Sequence, residues 1–336
     1  MSIIYFYYQG IINTGDIMCT AITYKTDDSY FGRNLDLEYS YDEKVTITPR
    51  NFRFDFRKKE SISSHYAIMG MATVVNNYPL YYDGINEHGL GMAGLNFPDN
   101  AYFGEEKEGK DNISPFEFVP WILSQCRNVD EAEKLLGKIN LCNIDFSEEM
   151  TVTPLHWMFA DKVRSITVES VKDGLKIYEN KFGVLTNNPP FDYHMTYICD
   201  FLNLTPYQVK NYLYEPYSRG LGAKGLPGDF SSTSRFVRAV FTKFNSVSDK
   251  GEGESVSQFF HILTSVEHVK GCVRLENGKN MITIYSSCMN LNKGIYYYTT
   301  YENRCISAID MHRCDLDGSE LIKYPLEKSM IINKQN

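Results

Sequence analysis

The chain has 336 residues, 43% hydrophobic and 14% aromatic, which suits a globular protein with a substantial core and excludes a disordered polypeptide. A formal net charge of −8 argues against a phosphate-tracking surface, so no nucleic-acid partner is expected. The eight cysteines (Cys19, Cys126, Cys142, Cys199, Cys272, Cys288, Cys305 and Cys314) show no CxxC and no regular spacing, which signals neither a zinc site nor a disulfide framework and favours a reduced, cytoplasmic setting.

The opening run MSIIYFYYQGII is apolar, but it lacks a basic segment and is too short to span a bilayer. No later run approaches the roughly 18 apolar residues that a spanning helix needs, so no membrane partner is expected. An atypical signal segment removed before Cys19 is the minor alternative. From Thr20 onward strand-like runs dominate: TAITYKT, YFGRNLDL, KVTITPR, YAIMGMATVV and GLGMAGLNF, separated by turn residues such as Asp27-Asp28 and Asn76-Asn77. Ser114-Pro115-Phe116-Glu117 is a capping box with proline at the first helical position, and Phe116, Val119, Ile122 and Leu123 follow at helical spacing. They predict a helix from Pro115 to Arg127. A second helix is predicted from Asp130 to Lys138, with acids in its first turn and a glycine near its end.

Strands resume at PLHWMFAD, SITVESV, LKIYEN and GVLTN, and the aromatic and aliphatic stripes of RFVRAVFTKF and VSQFFHILTSV predict two more helices. MITIYSSCMN and KGIYYYTTYEN flank Leu291-Asn292 as a hairpin. Strands and helices come in groups instead of alternating singly, which favours a layered α+β architecture with antiparallel sheets over a doubly wound parallel sheet. No linker or repeat divides the chain, and one compact domain is the simplest account.

General chemical motifs are nearly absent: there is no GxGxxG, P-loop, HExxH or GxSxG, and the seven histidines show no metal-ligand spacing and read as structural or solvated. What remains is Met18-Cys19. If translation begins at Met18 and the methionine is removed, Cys19 carries a free α-amino group with a pKa of roughly 8, so one residue supplies both nucleophile and base. The preceding TGDIM can be back-translated to contain AGGAG, a ribosome-binding sequence, just upstream of the methionine codon. Residues 1–18 are therefore expected to be a leader, either a mis-assigned start or a removed segment, with residues 19–336 as a single domain.

Four blocks in order, MCTAITYKTDDSYFGRNLDLEYSY, YYDGINEHGLGMAGLNFP, GVLTNNPPFDYH and GLPGDFSSTSRFVR, resemble the choloylglycine hydrolase family, specifically its bile salt hydrolases. The resemblance implies an N-terminal-nucleophile hydrolase built as a four-layer αββα sandwich with two antiparallel sheets. It implies that Cys19 is the nucleophile forming a thioester, that Arg33 favours its thiolate, and that Asp36 orients the α-amine and thiol. Arg33 and Asp36 need not share a strand face, yet both lie close enough to reach one site. Asn96 and Asn187 match the positions that stabilise the oxyanion, and Asn96 favours bile salt hydrolases over the related penicillin V acylases, which tend to carry tyrosine there. Arg235 matches the remaining active-site arginine, with Arg238 one turn on read as a solvated helix residue.

By the same resemblance Leu35, Tyr41, Phe146, Met150 and Leu155 line the steroid pocket, although each could equally be ordinary packing, and Ser218–Gly220 lies in a conjugate-selectivity loop that hints at taurine conjugates. The turn at Asp27-Asp28 is slightly shorter than in some relatives. No metal and no organic cofactor are implied. The expected activity is release of glycine or taurine from conjugated bile salts by a cytoplasmic homotetramer. The alternatives are a penicillin V or other N-acyl amide acylase, and a silent bile-salt-binding protein if the leader is retained.

Overall fold

A computed structural model describes residues 18–210 and 213–336. The expected leader lies outside the described residues apart from Met18. The first part of the chain forms β1 (Met18–Lys25), β2 (Ser29–Leu37), β3 (Lys44–Thr48), β4 (Ile68–Val75), β5 (Tyr78–Tyr81), β6 (Asp83–Asn86) and β7 (Gly91–Asn96). Five of these are the strands read from the sequence; β5 and β6 are too short to display an alternating pattern. Asn76 and Asn77 both take positive φ (51° and 60°) in the two-residue turn of the β4–β5 hairpin, a conformation asparagine tolerates better than most residues.

A small parallel pair, β8 (Asp111–Ile113) with β9 (Ile139–Leu141), brackets α1 (Pro115–Leu123) and α2 (Val129–Leu136). Glu117 accepts from the Ser114 N–H at 3.0 Å, completing the half of the capping box that closes back on the N-cap. The helix stops at Leu123 instead of Arg127 because other groups take the carbonyls that a further turn would use. Asn86 Nδ2 donates to Leu123 O (2.8 Å) and Cys126 O (2.6 Å), and the Tyr66 N–H donates to Ser124 O. Asn128 then caps α2 by accepting from the Glu131 N–H at 2.9 Å, and that helix ends at Leu136, two residues short of Lys138.

The remaining elements are β10 (Leu155–Ala160), β11 (Ser165–Val171), β12 (Gly174–Glu179), β13 (Val184–Leu185), α3 (Phe191–Tyr197), α4 (Ser232–Asn245), α5 (Glu252–Thr264), β14 (Ile282–Asn290), β15 (Ile295–Thr300), β16 (Ser307–Asp310) and β17 (Ile322–Pro325). They complete a six-stranded sheet, β13-β1-β2-β14-β15-β16, and a nine-stranded sheet, β12-β11-β10-β7-β6-β4-β3-β17 with β5 paired to β4. Every pairing in both sheets is antiparallel. Pro325 sits on the edge strand β17, where its missing N–H breaks no ladder.

Helices α4 and α5 pack on the smaller sheet, α1 covers the larger at β5, β6 and β7, and the sheets meet where β1 and β2 face β7. This is the α+β, αββα layering that the resemblance implied. One hydrophobic core runs from Phe236 and Phe259 through Ile22 and Phe31 to Ala93 and Met158; a second lies under α1 and α2 around Phe118, Trp157 and Phe159. Covered on both faces, β2 buries all nine of its residues. The two faces of this strand carry different chemistry.

Two stability predictions follow from the packing. A Cβ on Gly32 would lie 2.0 Å from the Ser287 carbonyl oxygen on β14, so Gly32→Ala is expected to cost about 1–3 kcal/mol or more, read as a lowered Tm and denaturant midpoint. His194 on α3 is fully buried, and burial lowers its pKa from 6.5 to about 4. Above pH 6.5 the ring is neutral in both states, but as pH falls towards 4 the unfolded chain gains a proton that the folded chain refuses. Stability should therefore decline across that window by about 3 kcal/mol, at roughly 1.36 kcal/mol per unit. In His194→Gln, Tm measured from pH 7 to 4 should fall less steeply.

Candidate active site

The β1–β2 register sets Cys19 opposite Leu35, Ala21 opposite Arg33 and Met18 opposite Asp36. Because side chains alternate along a strand, Arg33 and Asp36 point to opposite faces of the sheet. Arg33 faces the larger sheet, where its guanidinium donates to the carbonyls of Tyr82 (3.1 Å) and Gly94, and through Nη2 to Cys19 Sγ. The other face looks towards α5, where Asn34 Nδ2 donates to Leu263 O at 3.0 Å. Asp36 accepts there from Thr283 Oγ1, and its Oδ2 lies 3.1 Å from His268 Nδ1. Asp36 nevertheless belongs to the same site, because its register partner is the residue just before Cys19.

Asn187 follows β13 and binds Cys19 across 168 residues of sequence. Its Oδ1 accepts from the Cys19 N–H and from Arg235 Nη2, both at 2.8 Å, while its Nδ2 donates to Asn96 O at 2.8 Å. An amide NH2 has two hydrogens, so one remains for an incoming oxygen. Arg235, on α4, also donates to Cys19 O (2.5 Å) and Thr20 Oγ1 (2.7 Å). The backbone of Asn187 is held at both ends: its N–H donates to Ser232 Oγ at 2.8 Å and its carbonyl bonds His194 Nε2 at 3.0 Å. Asn96 ends β7, and its backbone N–H reaches the Cys19 sulfur.

The six residues expected to do chemistry thus converge, and all are buried. Burial pushes the Cys19 thiol above its ordinary pKa; Arg33, Arg235 and the Asn96 N–H pull it down, and Asp36 pushes it up. The charge of Arg33 lowers the thiol pKa, but desolvation outweighs it. Arg33 itself stays strongly basic: burial opposes its charge, but Cys19, Tyr285, Asp83 and Asp36 more than offset that effect. Asp83 is the site residue that sequence reasoning missed. It accepts from Tyr285 (2.9 Å), Ser287 (3.1 Å) and Tyr296 (2.7 Å), and burial raises its pKa. It lies inside the block YYDGINEHGL, but nothing in that stretch announces that three hydroxyls from β14 and β15 will close on it.

The expected pocket residues are more dispersed. Leu35 and Tyr41 pack in the first core and Leu155, the register partner of Asn96, against the second. Phe146 packs edge-on to Phe116 and beside Tyr78, in a turn where its N–H bonds Met150 O at 3.1 Å. Two surface clefts of about 320 and 280 Å³ lie at Asp130–Lys134 and along Tyr24, Ser29 and Lys162, away from Cys19. Arg238, expected to be solvated, is half-buried, and its guanidinium joins α4 to the carbonyls of Ser265 (2.7 Å), Pro227 (2.8 Å) and Asp229 (3.0 Å). Among the described residues no three His, Cys, Asp or Glu side chains converge to hold a metal ion, and no helix is long and apolar enough to cross a membrane.

Comparison with known proteins adds an independent line. The bile salt hydrolase/transferase of Lactiplantibacillus plantarum is 53% identical over 314 residues, covering 92% of this chain and 97% of that protein. The bile salt hydrolase/transferase of Clostridium perfringens is 41% identical, covering 95% of this chain and all of that one. A crystal structure of a variant of conjugated bile acid hydrolase from Clostridium perfringens superposes with a TM-score of 0.89 at 39% identity, covering 95% of this chain and 100% of its own. Penicillin V acylase from Agrobacterium tumefaciens shares the fold, with a TM-score of 0.74 at 18% identity over 91% of this chain and 90% of that one. The model of the linear amide C–N hydrolases, choloylglycine hydrolase family, matches residues 19–324, beginning at the cysteine on which the site converges, and the chain belongs to that family.

Proposed function

We propose that this protein hydrolyses the amide bond of glycine- or taurine-conjugated bile salts with Cys19 as an N-terminal nucleophile. The observation that carries the reading is the convergence of Arg33, Asn187, Arg235 and the Asn96 N–H on Cys19, the first residue of the family match. Removal of the preceding residues frees the Cys19 α-amine. Asp36 Oδ2, fully buried, has His268 Nδ1 3.1 Å away without a hydrogen bond formed between them, and Asp36 lies across the strand pair from Met18, which suits its carboxylate to receive the ammonium. Arg33 and Arg235 carry two buried positive charges and Asp36 and Asp83 two negative ones, so moving the thiol proton to the α-amine leaves the site neutral overall.

In the reaction the thiolate attacks the amide carbonyl, and the carbonyl π electrons move to oxygen. The uncommitted Nδ2 hydrogen of Asn187, together with Asn96, stabilises that oxyanion; such a donor typically contributes about 2.7–4 kcal/mol. Collapse breaks the C–N bond as the α-ammonium gives its proton to the departing nitrogen of glycine or taurine. The α-amine then takes a proton from water, hydroxide attacks the thioester, and the thiol leaves with the proton restored. An amine in place of that water would yield a new amide, the step that fits the word transferase in the names of the two relatives.

The bile-salt assignment, as opposed to penicillin V, is supported by the names of those relatives and by asparagine at position 96. Leu35, Tyr41, Phe146, Met150 and Leu155 form the proposed steroid contact. A homotetramer in the cytoplasm is part of the same reading, and exposed Leu202, Tyr207, Val209, Tyr214 and Tyr217 supply apolar surface for self-association.

Intact-mass analysis of the purified protein should place the N-terminus at Cys19; folded protein beginning at Met1 and inert to every amide would support the binding-protein alternative instead. Taurocholate and glycocholate should be turned over faster than penicillin V, and a strong preference for penicillin V would sink the bile-salt assignment. Cys19→Ser should fold and retain far less than a tenth of the activity, because a hydroxyl is much less acidic than a thiol. Asn187→Ala should lower kcat by about 10²–10³.

A further inference from the structure

The mechanism above leaves one buried ion-pair geometry unused, between His156 on β10 and Glu169 on β11. Both side chains are fully buried. His156 Nδ1 lies 3.0 Å from Glu169 Oε1, and His156 Nε2 lies 2.9 Å from the carbonyl oxygen of Thr186. A carbonyl can only accept, so Nε2 carries a proton. Glu169 Oε1 already accepts from the Phe191 N–H at 3.0 Å, and with Nδ1 also protonated it accepts from both nitrogens as a carboxylate, the arrangement that makes the hydrogen bond to the ring charge-assisted. Glu169 Oε2 makes no hydrogen bond among the described residues, so no acceptor is present for an acid proton on that oxygen.

The placement of the ring is as telling as its protonation. Thr186 immediately precedes Asn187. The opposite contact is Phe97, which immediately follows Asn96 and stacks flat on the imidazole, with centroids 4.3 Å apart and planes inclined by 5°. A single imidazole ring therefore touches the neighbours of both asparagines at the site, stacking on one and hydrogen-bonding to the other. The other titratable groups nearby fit this assignment. His194, on α3, is held neutral by burial with His156 among the charges opposing its protonation, and Tyr178 on β12 is the phenol beside Glu169.

We propose that His156 and Glu169 form a buried imidazolium–carboxylate pair that acts as a positioning device, holding Asn187 and Asn96 in register so that both face the carbonyl under attack at Cys19. The proposal rests on the reading that these two asparagines serve the reacting carbonyl. Removing either partner leaves the other without its counter-charge in a dry interior, which is costlier than removing both.

The test combines spectroscopy and kinetics on the full chain. In 15N-histidine-labelled protein at pH 7.5, the His156 ring should show two protonated nitrogens, and Glu169→Gln should convert it to a singly protonated ring. With taurocholate or glycocholate, His156→Gln and Glu169→Gln should each lower kcat about 10- to 100-fold with KM changed less than about threefold, the signature of misplaced groups at the reacting centre. The double variant should fall no further than the worse single one. A singly protonated His156 ring in the unaltered protein would overturn the pair, as would wild-type kcat in the variants or two losses that simply multiply. If His156→Gln does not fold, the ring protonation and the Glu169→Gln kinetics decide. Were the unaltered protein inert towards all bile salts, the proposed function would fail, whereas the ion pair would still stand or fall on the nitrogen spectra alone.

Discussion

The oxygen of one side-chain amide, Asn187 Oδ1, ties this structure together. It accepts simultaneously from the backbone nitrogen of Cys19 and from Arg235, and so joins the start of β1, the loop after β13 and the helix α4. These segments are far apart in the chain, and each is buried at the point of contact. A buried polar group that loses its partner costs about 1–3 kcal/mol, and two of these partners would lose theirs together. The bond is therefore both a closure of the fold and the device that places a cysteine beside an amide donor.

Around that bond the two faces of β2 divide the work. The face towards the larger sheet carries Arg33 to the sulfur; the face towards the helices carries Asp36 to the side from which the chain enters Cys19. A strand buried on both faces can present a cation and an anion to one residue from opposite sides without letting them neutralise each other directly. Asp83 then balances Arg33 from within the larger sheet, cushioned by hydroxyls of Tyr285, Ser287 and Tyr296. The result is a desolvated cluster of opposite charges around the Cys19 sulfur.

The supporting groups are arranged by the same economy. Backbone carbonyls of consecutive residues, Thr186 and Asn187, are bound by two different histidines, one neutral and one proposed to be charged. Ser232 at the start of α4 takes the Asn187 N–H, so the helix that carries Arg235 also anchors the loop that Arg235 addresses. Displacing α4 would disturb Cys19, Asn187 and Arg235 at once, which makes the site a property of the sandwich and not of any one loop.

Much of this was legible in the amino-acid sequence. Alternating runs placed the main strands, the capping box at Ser114 and the apolar stripes placed the helices, and four blocks of resemblance identified the family and the six residues at the centre. Local signals suffice for these because periodicity, caps and turn asparagines act over a few residues. The end of α1 was not legible, since Asn86, at the end of β6, takes the carbonyls that would have extended it. Nor were the anchoring of Arg238, the role of Asp83 or the pairing of His156 with Glu169. Each depends on which groups two sheets and a helix bring within about 3 Å, and hydrogen bonds and buried charges are settled by those long-range contacts. The sequence by itself determined which groups were available, a cysteine with two arginines, an aspartate and two asparagines in the family's blocks; only the tertiary structure decided which charges, carbonyls and amides that cysteine would meet.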